Sequence, residues 1–168
     1  MLVEAWNQVR PCGWGMRIVG PDEAGHRADV ERLARAAGVA DDFEFCGALE
    51  GAQLEQIYAM AELLVLPSHT ENFGMVVAEA LARGIPVIAS QGTPWQGLLE
   101  YGCGWWPQTS VAGLAEALRD ATLRETVELK VIGDRGRAWM ERDFTWKAVA
   151  KNFVGSYEQL LSKACGMA

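Results

Sequence analysis

Short apolar runs alternate along the first two thirds of this chain with longer stretches in which apolar residues recur at helical spacing. Leu2, Val3, Trp6 and Val9 share one stripe, which predicts a helix over residues 2–9. Pro11, Gly13 and Gly15 break it, and residues 16–20 read as a strand. Residues 29–37 form a second helical pattern with Val30, Leu33, Ala34 and Ala37 inward. Gly38 follows where a left-handed residue closes a helix. The same rhythm predicts strands at 43–46, 63–66, 86–89 and, weakly, 104–106. Helices are predicted between them at 54–60, 74–83 and 95–101, with Pro67 ending the third strand and Gly84 the fourth helix.

Strands separated by helices in this way require right-handed crossovers and a parallel sheet covered on both faces. Residues 63–66 and 87–89 are continuously apolar rather than alternating, as strands buried on both faces must be. The pattern therefore predicts a doubly wound α/β fold. After Pro107 the strands stop, and residues 110–120, 123–143 and 146–163 all read as helix, with Ser110 placed to cap the first. Residues 110–163 form a helical tail of the same single domain, residues 1–168, able to pack across it or across a neighbouring one. There are no internal repeats, low-complexity stretches or linkers.

Composition narrows the possibilities. The chain has 168 residues, half of them hydrophobic and 22% charged, which suits one soluble globular domain. Its apolar runs are too short to span a membrane, and no signal-peptide pattern opens it, so a cytoplasmic protein is expected. A net charge of −7 argues against nucleic acid as a partner. Arg124, Lys130, Arg135, Arg137, Arg142 and Lys147 thicken the last third and read as a solvated helix face. Cys12, Cys46, Cys103 and Cys165 show no paired spacing, so reduced thiols are expected. The two histidines and the scattered carboxylates show no zinc-type spacing.

Open parallel sheets bind ligands at the carboxyl ends of their strands. Three loops suit that role: residues 20–23, 68–74 and 90–95. The second is the most informative. It is polar from Ser68 to Asn72 and opens a helix at Gly74, whose free amides suit a diphosphate. Gly74 would let a ligand approach the backbone; equally it is a turn glycine. Glu79 stands in an otherwise apolar helix, where a carboxylate must be paired, complement the helix dipole or reach a ligand such as the hydroxyls of a ribose. Glu71 reads as a loop carboxylate with no helical duty, and His69 as a loop polar residue. In the third loop Thr93 reads as a helix cap with Pro94 as first helical residue, and Trp95, Trp105 and Trp106 as packing residues.

The run Glu71-Asn72-Phe73-Gly74-Met75-Val76-Val77-Ala78-Glu79 resembles the signature of retaining, GT-B-fold glycosyltransferases of the group 1 (family 4) class, with its two glutamates separated by seven residues. Its setting matches: Ala61-Glu62-Leu63-Leu64-Val65-Leu66-Pro67-Ser68 precede it, and Ala80-Leu81-Ala82-Arg83-Gly84-Ile85-Pro86-Val87-Ile88-Ala89 follow. Ile18-Val19-Gly20-Pro21 and Phe45-Cys46-Gly47 resemble earlier strand ends of the same Rossmann-like C-terminal half. The pieces Arg135-Gly136-Arg137 and Phe144-Thr145-Trp146 resemble its closing helices. Gly102-Cys103-Gly104-Trp105-Trp106 is similar to members acting in lipopolysaccharide or exopolysaccharide synthesis.

The resemblance implies a nucleotide-diphosphate sugar as donor and transfer with retention, without a metal. Glu79 would bind the ribose and Glu71, the catalytic candidate, would sit by the reacting anomeric centre. Amides around Phe73, Gly74, Met75 and Val76, beside Asn72, would hold sugar and pyrophosphate. The base would lie near Gly20, Pro21, Gly47 and Leu49. The resemblance further implies an acceptor-binding N-terminal domain, with the site in the cleft between domains and the complete protein peripheral to the inner membrane face. It places Met1 inside the first helix of the C-terminal half, with the preceding strand, and the Arg and Lys that follow it in the family, outside this sequence. The isolated chain is therefore expected to have negligible transferase activity. Its sheet should lack a strand between those at Met16 and Leu63, and either close up or exchange segments with another copy through the unpaired edges. Two other readings stand beside the transferase: a non-catalytic nucleotide-sugar-binding or interaction module, and a sugar epimerase of the same superfold, which the pairing of Glu71 with Glu79 disfavours.

Overall fold

In the computed structural model, which describes residues 1–165, the apolar runs become short strands and the helical patterns become helices. In chain order these are α1 (Leu2–Val9), β1 (Met16–Val19), α2 (His26–Ala36), β2 (Phe43–Gly47), α3 (Gly51–Met60), β3 (Leu64–Leu66) and α4 (Met75–Ala82). They continue with β4 (Val87–Ala89), α5 (Gly97–Glu100), β5 (Gly104–Trp105), α6 (Val111–Thr122), α7 (Thr126–Asp143) and α8 (Trp146–Cys165). All pairings are parallel: β1 with β2, and β4 between β3 and β5.

β4 shows why the fold has two helical layers. Its three residues are fully buried, and they divide between two apolar clusters. Ile88 faces a cluster built from Val3, Ala5 and Trp6 of α1 and Leu114, Ala115, Leu118 and Ala121 of α6. Val87 and Ala89 face the other, built from Val77, Ala80 and Leu81 of α4 with Leu98, Trp139 and Met140. The α/β architecture with parallel strands and a helical C-terminal part is thus the one predicted.

The sheet is interrupted. Among the described residues there are two sheets, β1–β2 and β3–β4–β5, and no strand pairs with the outer edge of β1 or of β3. Of the two outcomes expected there, closing-up or exchange with another copy, closing-up does not occur. Helix packing explains it: the α1–α6 cluster lies against Met16, Ile18 and Phe45 of one sheet and against Val65, Ile88 and Trp105 of the other. Sliding the sheets together would break that shared layer. The open edge shows in burial, since Leu64, Val65 and Leu66 are only partly buried beside a wholly buried β4.

Several boundaries move for local reasons. α2 begins at His26, three residues early, where left-handed Gly25 turns the chain and Asp22 accepts from the Arg27 N–H at 3.0 Å. α3 likewise begins at Gly51, itself at φ 54°. α7 begins at Thr126 behind a reciprocal Glu125–Glu128 capping box. Ser110 caps α6 as predicted, accepting from Gly113 N–H at 3.1 Å. Thr93 does not cap α5, which starts at Gly97; its hydroxyl donates to the Ser90 carbonyl at 2.8 Å. Among the described cysteines, Cys12, Cys46 and Cys103 are free thiols. Four arginines of the last third have partners: Arg124 on Asp120, Arg142 on Asp143, Arg135 on the Gly102 carbonyl and Arg137 on the Arg83 carbonyl.

α7 lies directly on the turn that joins α4 to β4. A Cβ at Gly133 would overlap the Gly84 carbonyl oxygen and touch Pro86 at 3.3 Å. Helix propensity alone makes Gly133→Ala stabilising by about 1 kcal/mol, but overpacking against backbone costs about 1–3 kcal/mol. The contact should win, and Gly133→Ala should lower the denaturant midpoint of unfolding.

Candidate functional site

The loop from β3 to α4 is held from one side so that its other side stays open. Gly74, buried at φ 74° and ψ 66°, ends it. A side chain there would meet Glu71 Cγ and Leu66 Cδ2 at 3.2 Å in a left-handed backbone that non-glycine residues avoid. Trp95 Nε1 donates to the Phe73 carbonyl, and the Phe73 ring packs 5.1 Å from that of Trp95. Phe144 stacks on Trp95 at 5.8 Å, and Trp139 meets Trp95 edge-on at 5.6 Å. The end of α7 therefore braces the loop before α4.

A second set of bonds ties this loop to its neighbour after β4. Glu71 N–H donates to the Gly92 carbonyl at 2.9 Å, and Ser90 Oγ donates to the Ser68 carbonyl at 2.5 Å. Gly92 runs so close that a Cβ would collide with the carbonyls of Ser68 and His69. Thr109 and Trp106 add bonds to Gly92 N–H at 3.0 Å and to the Thr93 carbonyl at 3.1 Å. Trp95, Trp105 and Trp106 are packing residues, as expected, and all three also donate hydrogen bonds.

Against this braced backing, the first turn of α4 faces outward. Met75 is 61% exposed and Val76 40%, so the helix start is not filled by its own core. The first amides of an α-helix have no intrahelical acceptor, and no side chain caps this one. Glu71 lies at the entrance, one carboxylate oxygen accepting from the Asn72 N–H at 3.1 Å. Glu79 follows Met75 and Val76 by one turn, on the same outward stripe, opposite buried Val77, Ala80 and Leu81. Its Oε2 accepts from the Tyr58 hydroxyl at 2.8 Å.

The remaining candidates stand at the other sheet. Gly20 N–H donates to the Gly47 carbonyl at 2.9 Å, joining the ends of β1 and β2; Pro21 is exposed and Leu49 half-buried. Among the described residues no hydrogen bond links this pair to residues 71–79. The candidates thus form two groups, one at the end of each sheet. No Lys or Arg occurs in the loops 20–25, 47–50, 67–74 or 90–96, so any anion at residues 71–79 would meet backbone amides rather than cations of these loops. Among the described residues no cluster of His, Cys, Asp or Glu could hold a metal ion, and no helix is long and apolar enough to cross a membrane. Hollows of about 630 Å³, beside Val3, Asn7 and Leu33, and about 270 Å³, beside Arg27 and Phe45, lie away from residues 71–79.

Three residues at the site escaped the sequence reading: Tyr58, Trp139 and Phe144. A tyrosine buried on a helix needs a partner for its hydroxyl, which was the available signal for Tyr58. Burial first, then the hydrogen bond and charge of Glu79, push the Tyr58 phenol up to about 12.

The sequence model of the family described as Glycosyl transferases group 1 matches residues 1–122. The D-inositol 3-phosphate glycosyltransferase of Actinosynnema mirum is 35% identical over 160 residues, covering 89% of this chain and 34% of that protein. Sucrose-phosphate synthase from Thermosynechococcus elongatus superposes with a TM-score of 0.78 at 28% identity, over 96% of this chain and 42% of that one. Anabaena HepE in complex with UDP and glucose shares the fold, with a TM-score of 0.77 at 21% identity over 94% of this chain and 44% of that one. The chain spans about a third of the length of the curated relatives it matches.

Two outcomes test this geometry. Gly74→Ala should destabilise by about 1–2 kcal/mol, the cost of a left-handed alanine, in denaturant unfolding. The raised Tyr58 pKa favours the folded state below the ordinary value of 10.0, and that contribution should fade as pH rises through about 12. Tyr58→Phe should remove this alkaline loss from a pH series of melting points.

Proposed function

Because this chain belongs to the group 1 glycosyltransferase family, we propose that it forms the donor-binding half of a retaining enzyme that moves a sugar from a nucleotide-diphosphate sugar to an acceptor. The observation that carries this reading is the uncapped start of α4, with Glu71 at its entrance and Glu79 one turn along the same open face.

Each group has work suited to its chemistry. The amides from Phe73 to Val76 lie at the partial positive end of a helix, which favours a pyrophosphate and the charge that grows on it as the anomeric C–O bond breaks. Glu79 offers a carboxylate to the two ribose hydroxyls. Glu71 lies beside the sugar, near the anomeric carbon. Gly20, Pro21, Gly47 and Leu49 border the base. No metal is assigned a role, since fixed donors supply the stabilisation. The acceptor contacts belong to a second domain, and the open edges of β1 and β3 offer a route to self-association. A place in cell-surface polysaccharide or lipopolysaccharide synthesis rests on the resemblance at residues 102–106.

One observation favours a second reading. The loops at the strand ends carry no Lys or Arg, so they offer a diphosphate neutral donors but no cation. A non-catalytic nucleotide-sugar-binding module is what such a segment amounts to in isolation, and catalysis would need cations from elsewhere.

Thermal denaturation with a panel of UDP, GDP and ADP sugars separates the readings from a bare scaffold. A ligand at 100 times its dissociation constant adds about 2.7 kcal/mol, which for a domain of this size raises the melting point by roughly 5–10 °C. One base class should produce that shift, and Glu79→Ala should remove it. No shift with any sugar nucleotide defeats the donor-site assignment.

A further inference from the structure

We propose that Tyr58 is a positioning residue that fixes the Glu79 carboxylate in its ribose-binding orientation, an inference that rests on the donor-site reading above. The structure holds this pair between two helices. Tyr58, in α3, is 8% exposed, and its hydroxyl donates to Glu79 Oε2 at 2.8 Å. Arg83, one turn after Glu79 in α4, lies over the Tyr58 ring with its guanidinium carbon 4.3 Å from the centroid. The same guanidinium donates to the Glu79 backbone carbonyl at 2.9 Å and pairs with Glu55, one turn before Tyr58, at 2.5 Å.

Residues 55 and 58 of one helix thus engage residues 79 and 83 of the next as a matched pair of pairs. Arg83 closes the face of the tyrosine ring, so the phenol has one direction in which to point. Its hydroxyl then selects one rotamer of Glu79. Oε1 has no described partner, and Oε2 keeps an acceptor site beside the tyrosine bond, so the carboxylate is oriented without being used up.

A merely structural pairing of α3 and α4 makes a different prediction. If Tyr58 only joined the helices, its loss would weaken every ligand equally or none. If it orients Glu79, its loss falls on ligands that present ribose hydroxyls. Ordering a free glutamate side chain costs binding roughly a factor of ten, and preorganisation removes most of that cost.

The test is calorimetric titration of the chain with UDP, GDP and ADP, then of Tyr58→Phe and Glu79→Ala with whichever binds and with its 2′,3′-dideoxy counterpart. Tyr58→Phe keeps the ring beneath Arg83, and titrations are run well below each variant's melting point. Tyr58→Phe should weaken the ribonucleotide roughly five- to tenfold and leave the dideoxynucleotide within about twofold. Equal loss for both nucleotides, or none, overturns the positioning role while leaving the donor site standing, provided Glu79→Ala abolishes the preference for ribose. If Glu79→Ala retains that preference, or the unaltered chain binds no nucleotide, the donor-site reading falls and this inference with it.

Discussion

Everything at the candidate site depends on a helix start that is held firmly from behind. A free amide at the end of α4 is useful to an anion only if the preceding loop does not collapse onto it. Here three of the loop's backbone polar groups are bonded away from the open face. The Phe73 carbonyl takes the indole of Trp95, Glu71 N–H gives to Gly92, and the Ser68 carbonyl takes Ser90. The rings of Trp95, Trp139 and Phe144 fill the space that the loop would otherwise fall into. Gly74 completes the arrangement by taking a backbone conformation that lets the helix begin without its own side chain covering the amides.

The same economy governs the sheets. A parallel sheet interrupted between β1 and β3 has no hydrogen bonds across the interruption, so something else must keep its halves in register. That is the α1–α6 layer, whose apolar cluster touches strands from both. The interruption also separates the two groups of candidate residues, with Gly20 and Gly47 on one sheet and Glu71 and Glu79 on the other. The one side-chain hydrogen bond that ties α3, which follows the first sheet, to the carboxylate on α4 is that of Tyr58. The relative placement of the two groups is therefore set by helix contacts rather than by a continuous ladder.

Most of the fold was legible because burial on two faces writes itself as uninterrupted apolar runs. Leu64 to Leu66 and Val87 to Ala89 could hardly be anything else, and Ser110 announced its helix with a side-chain oxygen. What failed had no such mark. α2 and α3 start at glycines in left-handed conformations, which lack a capping side chain and look like ordinary turns. Thr93 and Pro94 carried a convincing helix-start pattern, but Thr93 spends its hydroxyl on a turn carbonyl and the helix waits until Gly97. At the site, Glu71, Gly74 and Glu79 were visible as a local spacing. Tyr58 was not, because its partner lies 21 residues away and follows no period; Trp95 was read as a packing residue, but its bond to Phe73, 22 residues away, had no mark either.

That contrast bears on how Glu79 should be understood. A carboxylate among Val77, Ala78, Ala80 and Leu81 must have a partner, and Tyr58 supplies one. A satisfied carboxylate can look as though it needs no other explanation. Yet Arg83, one turn along the same helix, donates to the Glu79 backbone carbonyl rather than to its carboxylate. Instead its charge goes to Glu55. The carboxylate takes a hydrogen bond from Tyr58 and stands on the outward face of a helix whose uncapped amides lie one turn away. A carboxylate held by a phenol with one oxygen left open is suited to the ribose recognition proposed above.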